Sequence, residues 1–310
     1  MGFFLIAPSP LLFFLPLAAL LIRSRPSTLH EWWWVAGSAA LSAVWLVQAG
    51  GMTDQVVNAA AVLATGAFVC LLRVRRGTVF NHAAWALLLA FAAVAAWFGL
   101  LHLSWAEVQD ALTREWWELT RQFIDRARQV SAGRETIALF IQVADAGRTM
   151  AALFPSRVFL GGILGLVLAA TWTGRITGRV PEVRLSRFRE FRFWDHLVWV
   201  LILALGVVLV PAPSELDSSS ALLEMITYGV HFWAPVASNV LVVCGALYAT
   251  RGAAIVRSIL RLRTALILLA VGVVFLLPFT LIGLATFGLA DTWVDFRRRF
   301  AEAEAQRPRR

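Results

Sequence analysis

Long uncharged apolar runs constrain this chain more than any other feature. Two of them, residues 158–174 and 197–211, flank an arginine-rich segment, and each is about long enough to cross a bilayer core as a helix at ~1.5 Å per residue with modest tilt. The segment between them carries Arg175, Arg179, Arg184, Arg187, Arg189 and Arg192 against Glu182, Glu190 and Asp195. A loop so basic is expected to stay in the cytoplasm, and it thereby orients the other spans.

Composition agrees with a membrane bundle. Of 310 residues, 59% are hydrophobic and 15% charged, where soluble domains carry about 25% charged residues. The net charge of +9 sits in short loops beside apolar runs, which points to topology and anionic lipid headgroups and excludes nucleic acid as the partner. There is no lysine, so no Walker A loop, Schiff-base lysine or Ser–Lys dyad can be built. H-E-x-x-H, C-x-x-C and G-x-S-x-G are also absent. No nucleophile–base set is visible, so the sequence predicts no enzyme, cofactor or metal site. Cys70 and Cys244 fall in apolar runs and read as small buried hydrophobes.

Read in order, the chain predicts an all-α polytopic transmembrane helical bundle of about eight spans. Residues 1–103 hold four. In the first, residues 1–22, Arg23 and Arg25 follow the apolar run, an order that favours a retained span with an exported N-terminus. Trp32, Trp33 and Trp34 open the second span as an interfacial anchor. His82 and His102 lie near the two ends of the fourth, at interfacial depth.

Residues 104–155 differ. Trp105, Val108, Leu112, Trp116, Leu119, Phe123 and Val130 recur at helical intervals as one apolar stripe. A break at Ser131–Gly133 and a second amphipathic helix from Glu135 to about Leu153 follow. This insertion is expected outside the cytoplasm, on the membrane surface or folded over the bundle.

Residues 156–299 hold about four more spans around the cytoplasmic basic loop 175–195, and 300–310 form a polar tail. The fifth span places Gly161, Gly165, Ala169 and Thr173 on one stripe, where small residues let another helix backbone approach closely. Arg187, Arg189 and Arg192 alternate with Phe188, Phe191, Phe193 and Trp194, and together with Arg184 they suit lipid headgroups or the docking of a partner protein. In the seventh run Glu224, Tyr228 and His231 share a helix face. They form either an interfacial or internally paired couple, or one wall of a ligand-binding cavity. Residues 251–263 read as a short basic cytoplasmic segment before the last run, which closes at Asp291, Asp295 and Arg297–Arg299.

Three stretches carry a family resemblance. Phe188–Ile202 (FREFRFWDHLVWVLI), the pattern Asn239…Tyr248…Arg251-Gly252-Ala253, and Gly288–Arg299 (GLADTWVDFRRR) resemble the YybS-like family of bacterial membrane proteins. That family has no agreed function and is similar, distantly, to the substrate-binding S components of energy-coupling-factor transporters. The resemblance implies a multi-pass protein of the bacterial inner membrane. By analogy it implies a solute-binding subunit that draws energy from a partner. The alternative is a non-transporting scaffold that recruits envelope or cytoplasmic proteins.

Overall fold

The computed structural model describes residues 9–48, 50–74, 77–102, 104–130, 134–178, 193–210, 233–259, 279–296 and 299. The chain forms two compact units, Met1–Leu185 and Ser186–Arg310. No strand occurs among the described residues.

Among the described residues the first unit contains seven helices: α1 (Leu11–Arg23), α2 (Leu29–Val47), α3 (Met52–Val74), α4 (Val79–Leu100), α5 (Trp105–Val130), α6 (Arg134–Ala152) and α7 (Phe154–Thr177). Local chemistry sets their ends. The Thr28 hydroxyl accepts from Glu31 N–H, and the Glu31 carboxylate accepts from Ser27 N–H just ahead of the cap. Ser104 and Glu107 exchange both bonds of a capping box at the start of α5. Thr78 caps α4 by accepting from Asn81 N–H. Pro155 stands in the first turn of α7, where its missing N–H costs nothing, and Gly178 ends that helix in the left-handed conformation at φ 61°.

Helix α1 is the centre of this unit and packs against α2, α3 and α7. Leu17, Leu21, Phe68, Ala83, Leu87, Leu166 and Ala169 make a continuous core across α1, α3, α4 and α7. The approach of α7 depends on small residues. A Cβ on Gly165 would run into the Leu12 carbonyl of α1, and one on Gly162 into the Leu87 side chain of α4. Gly165→Leu should therefore cost about 1–3 kcal/mol, because the obstacle is backbone and cannot swing aside. Thermal unfolding in detergent checks this; wild-type stability in the variant would show that α1 and α7 do not meet there.

Helices α5 and α6 form where the amphipathic stretch was read. The inward positions Val108 and Leu112 pack with Ala151, Met52, Phe98 and Phe154. The Trp116 indole N–H donates to the Val143 carbonyl at 3.2 Å, tying α5 to α6. Glu115 fastens α5 to the first turn of α3: its carboxylate accepts from the Thr53 hydroxyl and, at 3.4 Å, from Thr53 N–H. The site suits a carboxylate, since the first N–H groups of α3 point at it and the helix dipole is positive there.

The second unit contains α8 (Leu197–Leu209), α9 (Ala234–Ile259) and α10 (Phe279–Val294). Helix α8 packs on α9.

Among the described residues, four helices are long and apolar enough to cross a membrane: α3, α4, α7 and residues Ala234–Arg257 of α9. Three more, α1, α8 and α10, are apolar but shorter. At 13 residues each, α1 and α8 span ~20 Å, against the ~30 Å of a hydrocarbon core. Large apolar side chains are nonetheless exposed in quantity, among them Trp85, Leu88, Leu89, Trp199, Leu203 and Ile282. Such surface suits a lipid solvent and would be a liability in water.

One sequence-based expectation is corrected here. Cys70 is exposed on α3; only Cys244 is buried. His82 is 3% exposed, packed beneath Gly77, so it belongs to the interior of the first unit. His102 is exposed, in the left-handed turn that ends α4.

Candidate functional site: a buried arginine between two carboxylates

The second unit is built around Arg251, whose side chain is completely buried. Its position follows from a close helix crossing. A Cβ on Gly252 would strike the Leu284 carbonyl of α10, and one on Gly288 would strike the Tyr248 carbonyl of α9. With a glycine from each helix at the crossing, backbone meets backbone. The residues beside the crossing, Arg251 on α9 and Asp291 on α10, are thereby brought together.

The guanidinium is held on three sides. Its Nε donates to Asp291 Oδ2 at 3.0 Å. Its Nη1 donates to Asp195 Oδ1 at 3.0 Å, from the turn that leads into α8. Its central carbon Cζ lies over the Phe193 ring, 5.5 Å from the ring centre, and that ring meets Tyr248 edge-on at 5.0 Å. Planar, delocalised charge suits this combination of fork and ring contacts; a lysine ammonium would not reproduce it.

The two carboxylates differ. The Asp291 side chain is 3% exposed, and its second oxygen accepts from Phe296 N–H at 3.0 Å. That bond folds the chain back at the end of α10, where the Phe296 ring stacks on Phe287. Asp195 is 45% exposed. Asp291 is thus part of the framework, while Asp195 stands between the guanidinium and the surface of the unit.

One positive charge thus faces two carboxylates. Burying these charges is costly, and mutual attraction offsets the cost only where hydrogen bonds are complete. Here they are not. Arg251 Nη2 lies 3.0 Å from Asp291 Oδ2 without hydrogen-bond geometry. The Tyr248 and Thr292 hydroxyls are neighbours, both buried, and neither forms a well-aligned hydrogen bond among the described residues. Buried polar groups are rarely left this way, and such groups gathered in one place ask for a functional explanation.

The sequence reading had Arg251 at the head of a basic cytoplasmic segment. In the structure α9 continues unbroken through residue 251 to Ile259, and Arg251 lies within the portion long and apolar enough to span. Asp291, read as the edge of the last run, is an interior residue. One signal for the cluster was present in the sequence. The three stretches that carry the family resemblance supply Phe193 and Asp195, then Tyr248, Arg251 and Gly252, then Gly288, Asp291 and Thr292.

Glu224, Tyr228 and His231 lie outside the described residues, as do Arg184, Arg187, Arg189 and Arg192. In the stripe of α7, Gly165 and Ala169 are buried while Gly161 and Thr173 are half-buried; the Thr173 hydroxyl donates to the Ala169 carbonyl at 2.8 Å. Among the described residues no three His, Cys, Asp or Glu side chains gather as metal ligands. In the first unit a crevice of about 310 Å³ is lined by Met52, Gln55, Val56, Trp97, Phe98 and Leu101. Gln55 is the polar side chain among these lining residues, and none of them is charged.

Several apolar helices, an exposed apolar surface and a charge cluster buried in a span-length helix define a helical membrane protein. The chain belongs to the family described as predicted membrane protein DUF2232, whose match runs over residues 3–292 and so reaches through most of both units and includes Asp195, Arg251 and Asp291. No curated protein and no solved structure matches the chain significantly.

Proposed function

We propose that this protein is a multi-pass, solute-binding subunit of transporter type in the bacterial inner membrane, energised by a partner. The single observation that carries the reading is Arg251, fully buried yet held between carboxylates from two separate segments. A charged side chain in a membrane helix is costly, and the commonest return on that cost is an ion or solute pathway. The lack of lysine removes a P-loop from this chain, so the energy source is a second protein or an ion gradient.

In this reading the chain crosses the membrane about eight times. The basic segment 175–195 lies in the cytoplasm, where its arginines contact anionic headgroups, and residues 104–155 lie on the exported side. Glu224, Tyr228 and His231 remain candidates for a second wall of the solute path.

Purification in mild detergent tests the reading, with mass spectrometry of both proteins and small molecules in the eluate. A retained solute, together with an ATPase module or a coupling protein, is the expected result. Envelope-assembly proteins in the eluate without any solute would replace the transporter reading with the scaffold.

A further inference from the structure

We infer that the crevice between the ends of α3 and α4 is a lipid site, which takes one acyl chain of a phospholipid with an ammonium headgroup. The site needs only the membrane setting of these two helices and stands apart from the transporter reading.

Position and lining point to hydrocarbon. Met52 opens α3, Trp97 and Phe98 lie in the last turn of α4, and Leu101 caps that helix. Both helices are long and apolar enough to cross a membrane, so the crevice lies at the depth where hydrocarbon gives way to headgroups. Val56 is buried at its floor, Met52 and Phe98 are half-buried, and Gln55, Trp97 and Leu101 are exposed at its rim. Met52 and Phe98 also pack against the cluster of Val108, Leu112 and Ala151, so the side chains that seat α5 line the crevice as well.

Volume and chemistry narrow the occupant. About 310 Å³ is at the lower end of the ~300–1,000 Å³ of ligand cavities, which suits a stretch of a single chain. Water fits poorly, since a buried water needs about two to four polar partners and Gln55 is the polar side chain in the lining. Left empty, the apolar walls would forfeit their packing contacts. Hydrocarbon restores those contacts, and lipid is the solvent around these helices. The Gln55 amide can both donate and accept at the level of a lipid's ester groups.

Charge then selects the headgroup. His102 aside, the ionisable side chains within six positions of a lining residue are Asp54 and Glu107, both exposed carboxylates. An anionic head placed there meets like charge, whereas an ammonium meets opposite charge.

The test uses the full-length protein, stripped of lipid in detergent and supplied with phosphatidylethanolamine that carries a photoreactive diazirine in one acyl chain. Mass spectrometry maps the adducts after illumination. Labelling should saturate, and should be about fivefold denser over residues 52–56 and 97–101 than at Leu88 and Leu89, exposed positions in the middle of α4 that any surrounding lipid reaches. Phosphatidylglycerol with the same chain should label the crevice about fivefold less at equal concentration. Val56→Phe fills the floor, and Gln55→Phe narrows the mouth from an exposed position. Both should lose most of the crevice labelling and keep that at Leu88 and Leu89. Even labelling along α4, or undiminished crevice labelling in a folded Gln55→Phe variant, would overturn the site. Equal labelling by phosphatidylglycerol would overturn the headgroup assignment. None of these readouts needs a transported solute or a partner protein, so failure of the transporter reading leaves the test standing.

Discussion

Arg251→Leu should be among the most damaging single substitutions in the second unit, costing about 3–5 kcal/mol. The loss comes less from the arginine than from what it leaves behind. Asp291, at 3% side-chain exposure, would keep a buried negative charge with no cation opposite it. Phe193 would lose the charge packed on its face. The companion Asp291→Leu should cost a similar amount for the mirror-image reason, and would also free Phe296 N–H at the end of α10. The double variant separates charge from shape: with both charges gone, an apolar pair of similar volume should recover much of the loss. Thermal unfolding of the three variants in one detergent reads this as a coupling energy. Strictly additive losses would mean that the pair is not the unit of stability described here.

Gly288→Val is expected to match it. The added Cβ is directed at the Tyr248 carbonyl and at the Gly252 amide, so the neighbours are main-chain atoms of α9 on both counts. Overpacking of this kind costs about 1–3 kcal/mol where side chains can adjust, and more where only a helix axis can move. Separation of α9 and α10 also pulls Asp291 away from Arg251, so the variant should lose the ion pair as well as the packing. Gly283, one turn away on the same helix with open space around it, is the control: Gly283→Val should lie within about 1 kcal/mol of wild type, since only helix propensity changes. Equal stability of the two variants would show that the crossing is not as tight as the glycines indicate.

Much of the architecture was open to sequence reading because it depends on local periodicity and local chemistry. The amphipathic stripe through Val108 and Leu112 is a three- and four-residue rhythm, and those residues face the helix neighbours it demands. The capping pairs Thr28/Glu31 and Ser104/Glu107 are four-residue patterns that need no distant partner. Arg251 is the opposite case. An arginine after an apolar run reads as a loop residue on the cytoplasmic side, and this reading is sound when the neutralising group is water. Here it is Asp291, forty residues on, and no pattern near Arg251 records that. Helix α1, by contrast, begins behind Pro10 and carries Pro16, a signal local to its own sequence. Cys70 and Cys244 sit in equally apolar sequence. Only the packing of whole helices decides that one faces outward and the other inward.

The contact between Gly165 and Leu12 has a consequence for how the chain is made. The first helix leaves the ribosome long before the helix that completes its surroundings. About 150 residues separate them, and at ~5–20 residues per second their synthesis occupies on the order of ten to thirty seconds. Throughout that interval α1 carries Pro16, a 13-residue length and an unfilled slot beside Leu12 into which only a glycine-faced helix fits. Its early company must come from α2 and α3, which also pack against it, and the arrival of α7 is the step that closes the unit. A growing chain halted before Phe154 is therefore a bundle with an open seam, exposed to the insertion and quality-control machinery of the membrane in which it is being built.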